Sequence, residues 1–129
     1  MLKQRYRFHS RGGVKYTYRQ GKTVRSPYLT LVCAKNSRHR QRFAVVVSKK
    51  IEKTAVGRNR IRRRIYEALR AELKDYPYHM DCIFVVVNKD TAIVPFDELR
   101  TTIQKLLKKS LKNFPDVEKR PTPPSSQSS

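Results

Sequence analysis

Two continuous apolar runs dominate the hydropathy pattern of the chain. Phe43-Ala44-Val45-Val46-Val47 lies within Arg42–Ser48, and Cys82-Ile83-Phe84-Val85-Val86-Val87 forms the second run. Unbroken β-branched and aromatic runs of this length predict strands buried on both faces. Between them, Ile61, Ile65, Ala68 and Leu69 make a single apolar stripe along Arg58–Leu73, which predicts an amphipathic helix. Leu99, Ile103, Leu106, Leu107 and Leu111 repeat that spacing over Phe96–Leu111. Pro95 suits the start of this second helix, and Asp97 and Glu98 suit its first turn.

The amino-terminal part is less regular. Ser10–Gln20 reads as a helix closed by Gly21 as a C-cap, although Gly12 and Gly13 each weaken it by about 1 kcal/mol relative to Ala. Thr23–Ala34 reads as extended and is interrupted at Ser26-Pro27. Leu29 and Leu31 share one face of it, with Tyr28, Thr30 and Val32 on the other. The polar, basic stretch Asn36–Gln41 reads as a turn, and its shortness predicts a hairpin between the strands it joins. Lys49–Gly57 is a loop, and Asp75–Met80 with Pro77 breaks the chain after the central helix. A helix between two apolar strand runs predicts a β-α-β crossover with parallel strands. The fold class is therefore α+β or α/β, with one layer of sheet covered by helices.

Length changes this picture little: 129 residues suit one domain. The folded part is expected over residues 1–114, followed by a disordered Pro/Ser-rich tail over 115–129. The longest apolar run, Cys82–Val87, is far short of the ~20 residues of a membrane span. Met1–Arg11 is polar and basic, unlike a secretory signal. Two cysteines, Cys33 and Cys82, cannot staple a small secreted domain and are expected as buried thiols. A soluble cytoplasmic protein without a membrane partner is expected.

Charge changes it more. The net formal charge is +20, and residues 1–74 hold 22 Lys and Arg against 3 Asp and Glu. Concentrated like charge repels itself and adds nothing to stability, so it points to an anionic partner. A nucleic acid, an acidic membrane or protein, and simple solubility all fit such a balance. Tyr16, Tyr18 and Tyr28 stand among Lys15, Arg19, Lys22 and Arg25, an interleaving that suits stacking on unpaired bases. The chain has no Trp, which disfavours a lipid-binding helix.

Catalytic chemistry is poorly represented. His9, His39 and His79 lie far apart, without metal-ligand spacing, and no Gly-rich phosphate loop is present. Binding chemistry is concentrated instead. Ser48-Lys49-Lys50 precedes a helix opening Gly57-Arg58-Asn59-Arg60-Ile61-Arg62-Arg63-Arg64. At 100° per residue, Asn59, Arg63, Tyr66 and Arg70 lie opposite or beside the apolar stripe. Arg60 and Arg64 share one flank, and Arg62 takes the other. Guanidinium groups so crowded repel one another unless a polyanion lies along them.

Ser48-Lys49-Lys50-Ile51 followed by Ala55-Val56-Gly57-Arg58-Asn59-Arg60-Ile61-Arg62-Arg63 resembles the signature of the bacterial ribonuclease P protein subunit. The resemblance extends from about Arg5 to Asn113. It implies an α-β-β-β-α-β-α order with a left-handed β-α-β crossover, against the general right-handed rule. It also implies a noncatalytic RNA-binding subunit that helps a catalytic RNA remove the 5′ leader of precursor tRNA, with hydrolysis carried by Mg²⁺ on the RNA. Carried over by position, Lys49, Lys50, Arg58, Asn59, Arg60, Arg62 and Arg63, with Arg64 beside them, would contact the RNA subunit, and a metal site would lie near Asn59. Val14, Tyr16, Tyr18, Tyr28, Thr30, Val32 and Tyr66 would line the leader cleft. Three features depart from the family pattern. Val14 replaces a usual Phe, the loop Ile51–Thr54 is one residue longer, and Tyr66 replaces a basic residue, exchanging a phosphate contact for stacking. A structural ribosomal RNA-binding protein and a stand-alone nuclease are the competing classes.

Overall fold

The computed structural model describes residues 17–35, 42–72 and 80–114. Residues 17–20 are the end of a helix, α1. Strands β1 (Lys22–Arg25), β2 (Leu29–Lys35) and β3 (Arg42–Val46) follow, then helix α2 (Ala55–Glu72) and strand β4 (Met80–Val86). A single 3₁₀ turn, Lys89–Ala92, leads into helix α3 (Phe96–Lys112). The expected readings of residues 10–16, the turn at 36–41, the break at 75–79 and the tail at 115–129 lie outside the described residues.

The interruption at Ser26-Pro27 is a tight turn. Ser26 N–H donates to Leu29 O at 2.9 Å, and the Ser26 hydroxyl donates to the same carbonyl. Proline brings no N–H to be satisfied there. The extended stretch therefore folds on itself, and β1 pairs antiparallel with β2.

The sheet order is β1-β2-β4-β3. This corrects the expected hairpin, because β2 and β3 are not neighbours: β4 lies between them. It pairs antiparallel with β2 and parallel with β3. The inserted strand has the longer apolar run, and a central strand buries both faces and satisfies both backbone edges. Parallel pairing of β3 with β4 is the crossover expected from the intervening helix.

Alternation then divides the sheet into two faces. On one, Leu29, Leu31, Cys33, Phe43, Val45, Met80, Cys82, Phe84 and Val86 meet Ile61, Ile65, Ala68 and Leu69 of α2 and Leu99, Ile103, Leu106 and Leu107 of α3. The Phe43 and Phe84 rings stack there, with centroids 6.2 Å apart. Cys33 and Cys82 stand opposite each other as buried residues with their Sγ atoms 2.8 Å apart. The far face carries a smaller cluster, Ala44 and Ile83, flanked by Val46 and Val85. Beside it, Arg42 and Asp81 form a buried bidentate ion pair at 2.7 and 2.6 Å.

Helix α1 approaches that far face. Its last turn closes with Gly21 N–H donating to Thr17 O at 2.7 Å. A Cβ on Gly21 would lie 2.3 Å from Thr17 O and 2.8 Å from Val32 Cγ1. The glycine expected as a C-cap is therefore required by close approach, and its φ lies outside the left-handed region.

Asp81→Ala should cost about 3–5 kcal/mol in urea unfolding, because it takes the carboxylate away from the buried Arg42 guanidinium. A loss below about 1 kcal/mol would show that the fold does not depend on this carboxylate to satisfy Arg42.

Candidate nucleic-acid interface

Where β3 ends, the chain turns sharply. Ile51 and Glu52 both donate their N–H groups to Ser48 O at 3.1 Å. Ile51 packs against the main core, which leaves Lys49 and Lys50 exposed on the outside of the turn. Helix α2 then begins at Ala55, three residues before the expected start. The signal lies in Thr54, whose Oγ1 accepts from Gly57 N–H at 3.0 Å and so acts as the N-cap. Glu52 completes the cap from upstream, its Oε1 accepting from both the N–H and the hydroxyl of Thr54 at 3.1 and 3.0 Å. In a capping box the acid stands three residues after the cap; here that position is Gly57. A Cβ on Gly57 would lie 2.5 Å from Glu52 Cδ, so the glycine makes room for the carboxylate.

Thr54 is the main reason that the Glu52 carboxyl is held below the ordinary carboxylate range, first through its N–H and then through its hydroxyl, with Arg58 and Arg60 adding to the effect. The negative charge at the helix start also suits the helix dipole.

The arginines at positions 58 to 63 of α2 divide into three sets. Arg58 is partly buried and donates to Glu52 O at 3.1 Å and Lys53 O at 2.9 Å, tying the turn to the helix. Arg62 donates to Asn59 Oδ1 at 2.9 Å, so these two present a linked pair. Arg60 and Arg63 are exposed and make no hydrogen bond or ion pair among the described residues. With Lys49, Lys50 and Asn59 they form one cationic surface around the start of α2.

Arg64, expected in this group, and Tyr66, expected in the leader cleft, lie elsewhere. Arg64 reaches the 3₁₀ turn, donating to Thr91 O at 2.7 Å and also to Val94 O. It holds the segment before α3 against α2. Tyr66 is a core residue at 8% exposure, packed with the apolar stripe rather than presented for stacking. At 100° per residue Arg64 and Tyr66 lie about 40° and 60° beyond the two edges of the stripe, and the core of α2 is wider than four residues.

The far face of the sheet holds part of the expected cleft. Tyr18 on α1 is 46% exposed, and burial of the rest pushes its hydroxyl pKa up. Thr30 is partly exposed, while Val32 is buried beneath the end of α1. The β1 register adds two residues that the sequence pattern alone did not assign: Thr23 lies opposite Val32, and exposed Arg25 opposite Thr30. Their alternation with Val24 was the available signal. Tyr28 departs from its expected face. It packs against the main core, and its hydroxyl donates to Glu98 Oε1 of α3 at 3.3 Å. The Glu98 charge raises the Tyr28 hydroxyl pKa. The bend before β2 breaks the alternation that placed Tyr28 with Thr30. Val14 and Tyr16 lie outside the described residues.

Glu52 makes the stability of the fold depend on pH. Its folded pKa lies below its unfolded value, so its contribution is present above the unfolded pKa and is lost as pH falls through the folded one. Glu52→Gln should therefore be less stable than the parent at pH 7, with the gap closing under strongly acidic conditions. Thermal melts across pH check this; a gap that persists in acid would contradict it.

The family model for ribonuclease P matches residues 2–111 of this chain. The ribonuclease P protein component of Chloroflexus aurantiacus is 31% identical over 109 residues, covering 84% of this chain and 80% of that protein. That of Caldanaerobacter subterraneus is 35% identical over 96 residues, covering 74% and 81%. Among solved structures, the RNase P protein of Thermotoga maritima aligns with TM-score 0.72 at 24% identity, covering 80% of this chain and 96% of that one. A Staphylococcus aureus RNase P protein mutant with defective mRNA degradation activity aligns with TM-score 0.74 at 22% identity, covering 84% and 90%. At these identities the two structures establish the fold, an α+β arrangement with an open four-stranded sheet. Signature, fold and matched relatives agree, and the chain belongs to the ribonuclease P protein family.

Proposed function

We propose that this chain binds the catalytic RNA of ribonuclease P through the surface at the start of α2 and retains the 5′ leader of precursor tRNA on the far face of the sheet. The observation that carries this reading is the set of Lys49, Lys50, Arg60 and Arg63, which make no hydrogen bond or ion pair among the described residues and are held outward by a turn and a helix cap. Guanidinium groups take phosphate oxygens bidentately, and ammonium groups take them as point charges. Two RNAs brought together repel each other, and cations between them relieve that repulsion.

Arg58 and the Arg62–Asn59 pair have a preparatory part. By bonding to their own chain they set the turn and the amide, so less side-chain freedom is lost when RNA docks. Tyr18, Thr23, Arg25 and Thr30 suit a single strand: one aromatic platform, a cation and two hydroxyls.

The expected metal site near Asn59 does not fit the residues there. Asn59 Oδ1 already accepts from Arg62, and Arg58, Arg60 and Arg63 surround it in sequence. A divalent cation seeks several oxygen ligands, including carboxylates, and cationic neighbours oppose it. Mg²⁺ is accordingly assigned to the RNA, which carries the hydrolysis, and the protein contributes binding and charge. No helix among the described residues is long and apolar enough to cross a membrane, and the reading places the protein with its RNA partners in the cytoplasm.

The direct experiment is precursor tRNA cleavage by a bacterial ribonuclease P RNA at low Mg²⁺, with and without this protein. Strong stimulation is expected, with no cleavage by the protein alone. Absence of stimulation with a cognate RNA would contradict the reading. Arg60→Ala should weaken binding to the RNA subunit by about 1–3 kcal/mol with at most a small change in melting temperature. Tyr18→Ala should spare that binding and weaken only substrates carrying a leader; equal losses with mature tRNA would remove Tyr18 from the leader site.

A further inference from the structure

Helix α3 carries a second basic surface. From residue 75 onward the chain is nearly balanced, with 8 Lys and Arg against 7 Asp and Glu. Yet Lys105, Lys108, Lys109 and Lys112 fall at i, i+3, i+4 and i+7, and all four are exposed. Each lies within one helical turn of two others, an arrangement that disfavours the helix through like-charge repulsion. The acidic residues of α3, Asp97 and Glu98, stand in its first turn at the other end. None of the four lysines makes a hydrogen bond or ion pair among the described residues. The helix dipole accounts for Lys109 and Lys112, which lie in the last turn, but not for Lys105 or Lys108. Lys22 shows what a structural lysine does at this helix end. Its Nζ donates to Asn113 O at 3.1 Å and lies 5.4 Å from the centroid of the Phe114 ring.

The stripe has a definite position. Leu99, Ile103, Leu106 and Leu107 bury the inner side of α3 on the same face of the sheet as α2. The lysines therefore point away from the sheet, on the side opposite Thr30 and Val32. Its chemistry narrows the partner. The exposed large apolar residues of the described chain are Tyr18, Val56, Val87, Ile93 and Phe96, and none lies on the stripe. Stacking on unpaired bases needs an aromatic, and insertion into a lipid surface needs exposed apolar side chains. Lysines alone suit the backbone of a folded RNA helix, read by charge rather than by base. Seven residues of helix span about 10 Å, alongside roughly three phosphates of one strand.

We infer that Lys105, Lys108, Lys109 and Lys112 form a further RNA-binding surface, gripping the phosphate backbone of a double-helical segment of the RNA subunit. The inference rests on the RNA-subunit reading above. It makes the protein a bridge: α2 and α3 meet the catalytic RNA at two places, while the far face of the sheet is left for the leader.

The test compares the full chain with a variant carrying Lys105→Gln, Lys108→Gln, Lys109→Gln and Lys112→Gln, substitutions that keep helix propensity. Binding to ribonuclease P RNA is measured across a range of KCl concentrations. The expected result is a log–log salt slope shallower by about 0.9 for each phosphate that the variant no longer neutralises, and affinity about tenfold or more weaker at low salt. The melting temperature should be unchanged or higher. Parallel salt plots would overturn this inference alone. Failure of the parent to bind the RNA would overturn the RNA-subunit reading and this inference with it. Loss of binding to phosphatidylglycerol vesicles with RNA binding intact would overturn it in favour of a lipid surface.

Discussion

The buried pair between Arg42 and Asp81 ties β3 to β4 at the register position that decides which of their side chains face the helices. Arg42 opens β3, Asp81 is the second residue of β4, and the two are register partners in a parallel pairing. Strand side chains alternate with a period of two, so a slip of one residue would exchange the faces. Phe43 and Val45 would leave the helices, and Ala44 and Val46 would replace them. Hydrophobic runs buried on both sides resist such a slip only weakly, since either face of Phe43–Val47 is apolar. A bidentate ion pair has one geometry and so favours the register that permits it, while a buried pair adds little net stability over apolar residues.

Everything after β3 inherits that register. The Ser48 turn emerges at the end of the sheet, and Thr54, Glu52 and Gly57 start α2 there. Ile61, Ile65, Ala68 and Leu69 face the core, which turns Asn59, Arg60 and Arg63 to solvent. Arg64 then couples α2 to the segment before α3 through Thr91 and Val94. The cations of the interface thus owe their directions to apolar residues and backbone hydrogen bonds, not to one another. Mutual repulsion is tolerated because the core, buried on the opposite side of the helix, supplies the stability.

Much of this was legible in the residues themselves. The two strand runs, both long helices, the parallel crossover and the Lys49 to Arg63 signature all carry local patterns. The features that were not legible depend on what lies next to what. The hydropathy of β2 and β3 declares them strands but not neighbours, and only the three-dimensional competition for a central position puts β4 between them. Tyr28 and Tyr66 have ordinary positions in a strand or helix pattern, yet a bend moves one and a wide core absorbs the other. Arg64 lies on a flank of α2 that could face solvent or protein, and the 3₁₀ turn decides it from 27 residues away. The lysine stripe of α3 was hidden for a different reason: a charge count over residues 75–129 averages it against acids that do not share its face.

The start of α2 and the far face of the sheet address different RNAs in the proposed function, and that division is open to direct test. Val56 is 72% exposed within the cationic surface of α2, and Tyr18 is 46% exposed on α1. The most direct measurement replaces each in turn with a photoreactive benzoylphenylalanine and maps crosslinks in the complex of protein, RNA subunit and precursor tRNA. Crosslinks from position 56 to the RNA subunit and from position 18 to the 5′ leader are the predicted result. Crosslinks from both positions to the same RNA, or their exchange between the two, would contradict it.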